Sequence, residues 1–208
     1  MDKQKGKKIN RKNSPLNCLA VLLLFIVLMS SCVSMKRDPE RPLPQSLTLG
    51  TVMTPGLPVY FRYSFYRHID KMPTDDSMMA EGKPGQPVAF LNHQFKESVF
   101  DSKSEKGVGV FLNGYLKMDV AGTYQFKAMS NDGIRVTVNG EIVVLDPTVH
   151  SDRFSDSGQV TVDKPGWYPL TVKYFQRKGT ARLELYWHPP GMADFVIIPA
   201  AAYGHVKF

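Results

Sequence analysis

Apolar and polar side chains alternate along most of the chain beyond Val59. TYQFKAMS sets Tyr124, Phe126 and Ala128 on one side, and GIRVTVNG sets Ile134, Val136 and Val138 on one side with Arg135 and Thr137 on the other. YPLTVKYF repeats the habit with Leu170, Val172 and Tyr174, and ARLELYW with Leu183 and Leu185. Successive side chains of a strand point to opposite faces, so one apolar face and one wet face mark antiparallel sheet. Several such runs with turn signals between them predict a sandwich or barrel. No stretch after the first 31 residues sustains a helical period over about three turns, so helix content is expected to be low.

The turn residues support this reading. Asn139-Gly140 stands between RVTV and EIVV and supplies the two positive-φ positions of a two-residue type I′ hairpin. Ala121-Gly122 and Pro165-Gly166 open strands after tight turns. Lys178-Gly179 reads as the solvated tip of a hairpin, with Arg177 and Arg182 beside it. Tyr124 and Tyr168, each two residues past a glycine, are expected to bury a ring and keep the hydroxyl at the rim. HPPG ends the strand that carries Trp187, because proline cannot donate to a ladder. Asp75, Asp76 and Glu81 fall in a Pro- and Gly-rich stretch and are expected on loop surface.

The N-terminal end follows a different pattern. Lys3, Lys5, Lys7, Lys8, Arg11 and Lys12 precede the apolar run LNCLAVLLLFIVLM, which is shorter than the roughly 20 residues of a permanent membrane span. A basic start, a short apolar middle and small residues after it make an export signal. Met29-Ser30-Ser31-Cys32 resembles the lipobox of bacterial lipoproteins, which implies cleavage after Ser31 and lipid attachment at Cys32. Val33, where an Asp would signal inner-membrane retention, points to the outer membrane. Residues 1–31 are therefore read as a lipoprotein signal peptide. Residues 32–54, broken by Pro39, Pro42 and Pro44, are read as a tether, and residues 55–208 as one domain. Cys18 lies in the signal, so the exported chain keeps one cysteine and forms no internal disulfide.

The formal charge of +7 misleads about partners. Removing the six basic and one acidic residues of the signal leaves 20 against 18, an ordinary surface without the basic stripe of a nucleic-acid binder. Five scattered histidines form no His-Glu-x-x-His, and neither a Gly-x-Ser-x-Gly elbow nor a phosphate-binding Gly-rich loop occurs. No motif argues for an enzyme.

In order along the chain come Pro55-Gly56-Leu57, AGTYQFKAMSNDGIRVTVNGEIVVLD, His150, PGWYPLTVKYFQRKGTARLELYWHPPG and VIIPAAAYGH. Together these resemble a PA14 domain, the β-sandwich module found in glycosidases, proteases and adhesins. The resemblance implies an all-β, PA14-type antiparallel β-sandwich or barrel with long loops, and a non-catalytic function in binding carbohydrate or a cell-envelope glycoconjugate. In adhesin-type members the place of Asn131-Asp132 is a pair of aspartates that holds calcium, which implies ligand-binding and calcium roles for Asn131 and Asp132. Asn131 lacks the first carboxylate, and Asn-Asp-Gly closes a turn by side-chain-to-backbone hydrogen bonds equally well, so no cofactor is certain. Asp146, His150 and Asp152 follow in the loop after the hairpin. Exposed aromatics are the expected sugar platforms: Trp167 and Tyr186, which alternation places opposite the core-facing residues of their strands, and Tyr66. Trp187 is expected in the core. The expected partners are the membrane, through the lipid, and a glycan. The alternative is an envelope scaffold that holds another protein at a sheet edge.

Overall fold

The computed structural model describes residues 45–207. The expected signal, the cleavage after Ser31 and the lipid attachment at Cys32 lie outside these residues. Two antiparallel sheets make up the body. The first, of eight strands, is built on Gly166–Gln176, which pairs along its length with Val108–Met118 and through residues 170–174 with Ile134–Val138. Glu141–Asp146 closes one side, while Val59–Tyr63 and Tyr203–His205 lie along the far side of Val108–Met118. The second sheet, of six strands, centres on Gly122–Asn131 paired with Ala181–His188. Gly158–Val162 and Arg153–Phe154 flank the former, and Asn92–Phe95 and Val196–Ile197 flank the latter.

The two-residue period is what glues the sheets. Tyr124, Phe126, Ala128, Leu183, Leu185 and Trp187 of the second sheet share one buried core with Ile134, Val136, Val138, Leu170, Val172 and Tyr174 of the first. Each fully buried aliphatic or aromatic side chain stabilises by about 1.5–3 kcal/mol. Asn139 and Gly140 have φ of 51° and 82°, the left-handed pair of a type I′ turn, and Val138 faces Glu141 across it. Both expected tyrosine arrangements are present. The Tyr124 hydroxyl donates to Val120 O at 3.0 Å and that of Tyr168 to Lys164 O at 2.6 Å, each four residues back along the chain.

Three expectations are corrected. Asp75, Asp76 and Glu81 form a short helix, Asp75–Glu81, rather than loop surface; Thr74 caps it, accepting from Ser77 N, and the two aspartates sit in the first turn where the helix dipole favours them. Seven residues are too few to display a period. With the 3-10 turn Ile69–Lys71, this helix covers part of the outer face of the eight-stranded sheet, where Ile69, Met72 and Met78 bury Phe111 and Phe175. Beneath it the buried Lys173 ammonium lies 2.6 Å from Asp75 Oδ1 and donates to Pro73 O.

Lys178-Gly179 is a turn, with Gly179 at φ 82°, but not a hairpin, because Gly166–Gln176 and Ala181–His188 belong to different sheets. The body also begins earlier than residue 55. Leu47 exchanges two backbone hydrogen bonds of 2.8 Å with Trp167, and Thr54 pairs with His205. Edge backbone that would otherwise lack a partner recruits residues that composition assigns to the tether.

Candidate binding site

Asn131-Asp132-Gly133 carries the chain from the six-stranded to the eight-stranded sheet through a cis Asn131-Asp132 peptide. Asp132 N donates to Phe175 O and Phe175 N to Gly133 O, at 3.2 and 3.0 Å. A Cβ on Gly133 would lie 2.5 Å from the Phe175 ring, so only glycine fits. Asp132 is 2% exposed. Its Oδ1 accepts from His150 N at 3.2 Å and its Oδ2 from Arg177 N at 2.7 Å. Burial pushes its carboxyl above the usual range, against the pull of those N–H groups and of His150. One side chain thus fastens the loop after the hairpin and the turn between the sheets.

The neighbouring acids are also engaged. Asp146 accepts both Arg153 Nε and Nη2, at 2.7 and 2.6 Å, and His150 Nε2 stands 3.2 Å from it. His150 Nδ1 donates to Ser151 O at 2.8 Å, which braces the loop. Asp152 Oδ1 accepts from Asn131 Nδ2 at 2.8 Å, and its other oxygen is 3.5 Å from Arg182 Nη1. Calcium takes six to eight oxygens, favouring carboxylates. Here two arginines hold the neighbouring carboxylates, backbone N–H groups hold Asp132, and among the described residues no three His, Cys, Asp or Glu are grouped to hold a metal. These side chains do not fit a calcium ion.

From Asn131 the polar network continues across the outer face of the six-stranded sheet. Arg182 is the register partner of Asn131, and its Nε donates to Glu184 Oε1 at 2.7 Å. Glu184 Oε2 accepts from the Tyr186 hydroxyl at 2.7 Å. Burial and then that carboxylate push the Tyr186 phenol up to about 12, so it stays a donor at neutral pH. Phe154 stands edge-on to Tyr186 with centroids 5.4 Å apart and is 46% exposed. Lys127 Nζ lies 4.4 Å from the Phe154 ring centroid and 4.5 Å from that of Phe195.

The remaining expected residues divide. Tyr186 is on the wet face, as alternation predicts, and Trp187 is in the core against Tyr124. Trp167 is corrected. It is 7% exposed, because Leu47 pairs with it and Gly204 lets its ring approach, so it cannot stack on a ligand in this arrangement. Tyr66 is half-buried against Phe175. Arg182, Glu184 and Phe154 were missed as a group, although Arg182, Glu184 and Tyr186 alternate along the sequence on the wet side of ARLELYW.

Two packed antiparallel sheets of eight and six strands define a β-sandwich. The PA14 domain model matches residues 93–200, and the chain belongs to that family. Among solved structures it is similar to the PA14 domain of the MpAFP antifreeze protein, with 16% identity, 80% of this chain and 95% of that one covered, and a TM-score of 0.59. It is also similar to the A domain of epithelial adhesin 6 from Candida glabrata in complex with Galb1-3GlcNAc, with 16% identity, 80% and 94% covered, and a TM-score of 0.55. A PA14 sugar-binding domain from an RTX adhesin gives 19% identity, 73% and 99% covered, and a TM-score of 0.51. A search of curated proteins finds no match.

Proposed function

We propose that this chain is a lipid-anchored, non-catalytic module that binds carbohydrate or a glycoconjugate of the cell envelope. Membership of the PA14 family and a fold shared with adhesin domains solved as sugar binders support the ligand class. The observation that carries the reading is the outer face of the six-stranded sheet, where Phe154 and Tyr186 border the fixed donors and acceptors of Asn131, Asp152, Arg182 and Glu184. Saccharides combine apolar ring faces with many hydroxyls, and sites for them pair apolar walls with a few placed polar groups. Glu184 and Asp152 both lean on Arg182, which suits them to accept hydrogen bonds rather than to act as an acid and base pair.

Cys32 is the lipid-bearing residue in this reading, with cleavage after Ser31 and an outer-membrane destination. Calcium has no part in it. The test uses the full chain, expressed in a bacterial host and purified in mild detergent. Radiolabelled palmitate is expected to mark it and to fail on Cys32→Ala, and a glycan array is expected to give discrete hits. Unlabelled wild-type protein would sink the anchor, and an array blank across cell-wall and host glycans would sink the ligand class.

A further inference from the structure

We infer that the outer face of the six-stranded sheet docks a neutral saccharide between Phe154, Tyr186 and the clamped Arg182, with no divalent cation. This deepens the carbohydrate reading above and rests on it.

Strand register fixes which side chains share this face. Phe154 faces Met129, Met129 faces Glu184, and Glu184 faces Asn92. The neighbouring rows are Asn131, Arg182 and Gln94 on one side and Lys127, Tyr186 and Ile197 on the other. Strands lie about 4.8 Å apart and residues two apart on one strand about 6.8 Å, so these rows span roughly 14 Å along the strands and 10–15 Å across them. That is room for one or two hexose rings. On the other sheet the 3-10 turn and the short helix cover the part of the outer face around Phe111 and Phe175. On this face Phe154, Asn92 and Gln94 are exposed.

Glu184 sits at the middle of the strip and is 6% exposed, walled in by its own neighbours. A carboxylate desolvated on an otherwise wet face costs stability, and a threonine or valine there would serve the sheet better. Its two oxygens are taken by Arg182 and Tyr186. That leaves the guanidinium fixed, with N–H groups to spare, since it carries five and turns Nε to Glu184 and Nη1 to Asp152. Side chains already held in place lose little entropy when a ligand arrives.

Charge selects the ligand class. Lys127 and Arg182 balance Glu184 and Asp152 on the strip, so a polyanion would meet two carboxylates and a cation would meet the guanidinium. Donors and acceptors interleaved at zero net charge suit hydroxyls. No empty coordination site is needed, because Arg182 supplies the positive centre.

Binding by the full chain in detergent is measured by calorimetry with neutral and uronic-acid oligosaccharides, each in calcium and in EDTA. Neutral sugars are expected to bind equally in both buffers. Phe154→Ala and Arg182→Gln are each expected to weaken binding roughly tenfold while the melting temperature of the exposed-site variant Phe154→Ala stays near wild type. Dependence on calcium, preference for uronic acids, or unchanged affinity in both variants would overturn the strip, and the carbohydrate reading would then rest on family membership and the measured saccharide binding alone. A wild-type chain that binds no saccharide overturns both.

Discussion

Replacing Asp132 with alanine removes the acceptor for two part-buried backbone donors, His150 N at 3.2 Å and Arg177 N at 2.7 Å. An unsatisfied buried donor costs about 1–3 kcal/mol, so the pair sets an upper range of roughly 2–6 kcal/mol. Part returns, because the buried carboxylate is itself disfavoured when charged, as its raised pKa records. A net loss of about 2–4 kcal/mol is expected at neutral pH, or roughly 4–16 °C in Tm for a body of this size. The pH dependence carries the sharper test. A carboxyl whose folded pKa is raised contributes stability fully below its unfolded pKa and loses it as pH rises through the folded one. The gap between wild type and Asp132→Ala should therefore be widest in acid and narrow towards neutrality. Urea unfolding of both proteins across that range measures it. A variant within about 0.5 kcal/mol of wild type at neutral pH, or a gap that widens as pH rises, would refute the bracket role. Calcium that raises the wild-type Tm and leaves the variant unmoved would restore the metal reading.

Leu185→Ala, at a fully buried position of the shared core, should cost about 2–5 kcal/mol in chemical denaturation, and a loss below 1 kcal/mol would mean the sheets do not pack there. Leu47→Pro deletes the N–H that donates to Trp167 O and should shift indole emission to the red as that ring gains water, with little loss of secondary structure; unchanged emission would count against the strap. The phenols of Tyr124, Tyr168, Tyr174, Tyr186 and Tyr203 are all held up by burial. Their contribution is complete below pH 10 and falls as pH rises towards 12 and beyond, so stability should decline across that window, and a flat profile would contradict the burial.

Alternation made the core legible because each strand buries one face against the same partner layer. Ile134, Val136, Val138, Leu183 and Leu185 could be assigned without knowing which sheet held them. Sheet membership was harder to read. Lys178-Gly179 looks like a hairpin tip from either side, and only the opposed pairing of the two flanking strands reveals a crossing between layers. Trp167 failed for a related reason. Its alternation is outward, but an extended segment from residue 47 onward covers it, and no local pattern encodes contact across 120 residues. At the candidate site, Asn131, Asp132 and Tyr186 stood out as motif members. Arg182 and Glu184 did not, because charged residues on a wet face look like solubility until register sets them beside Asn131 and Tyr186.

The strap through Leu47 has a mechanical corollary. On the reading that Cys32 is the membrane attachment point, tension passing along the described residues meets the Leu47 bridge before the Thr54 pairing with His205. A load there peels two hydrogen bonds before it can shear a long strand, and residues 47–54 can then straighten towards a span of at most roughly 25 Å. Pulled in an optical trap, the chain should show this small early extension ahead of the main rupture, a built-in shock absorber between envelope and cargo.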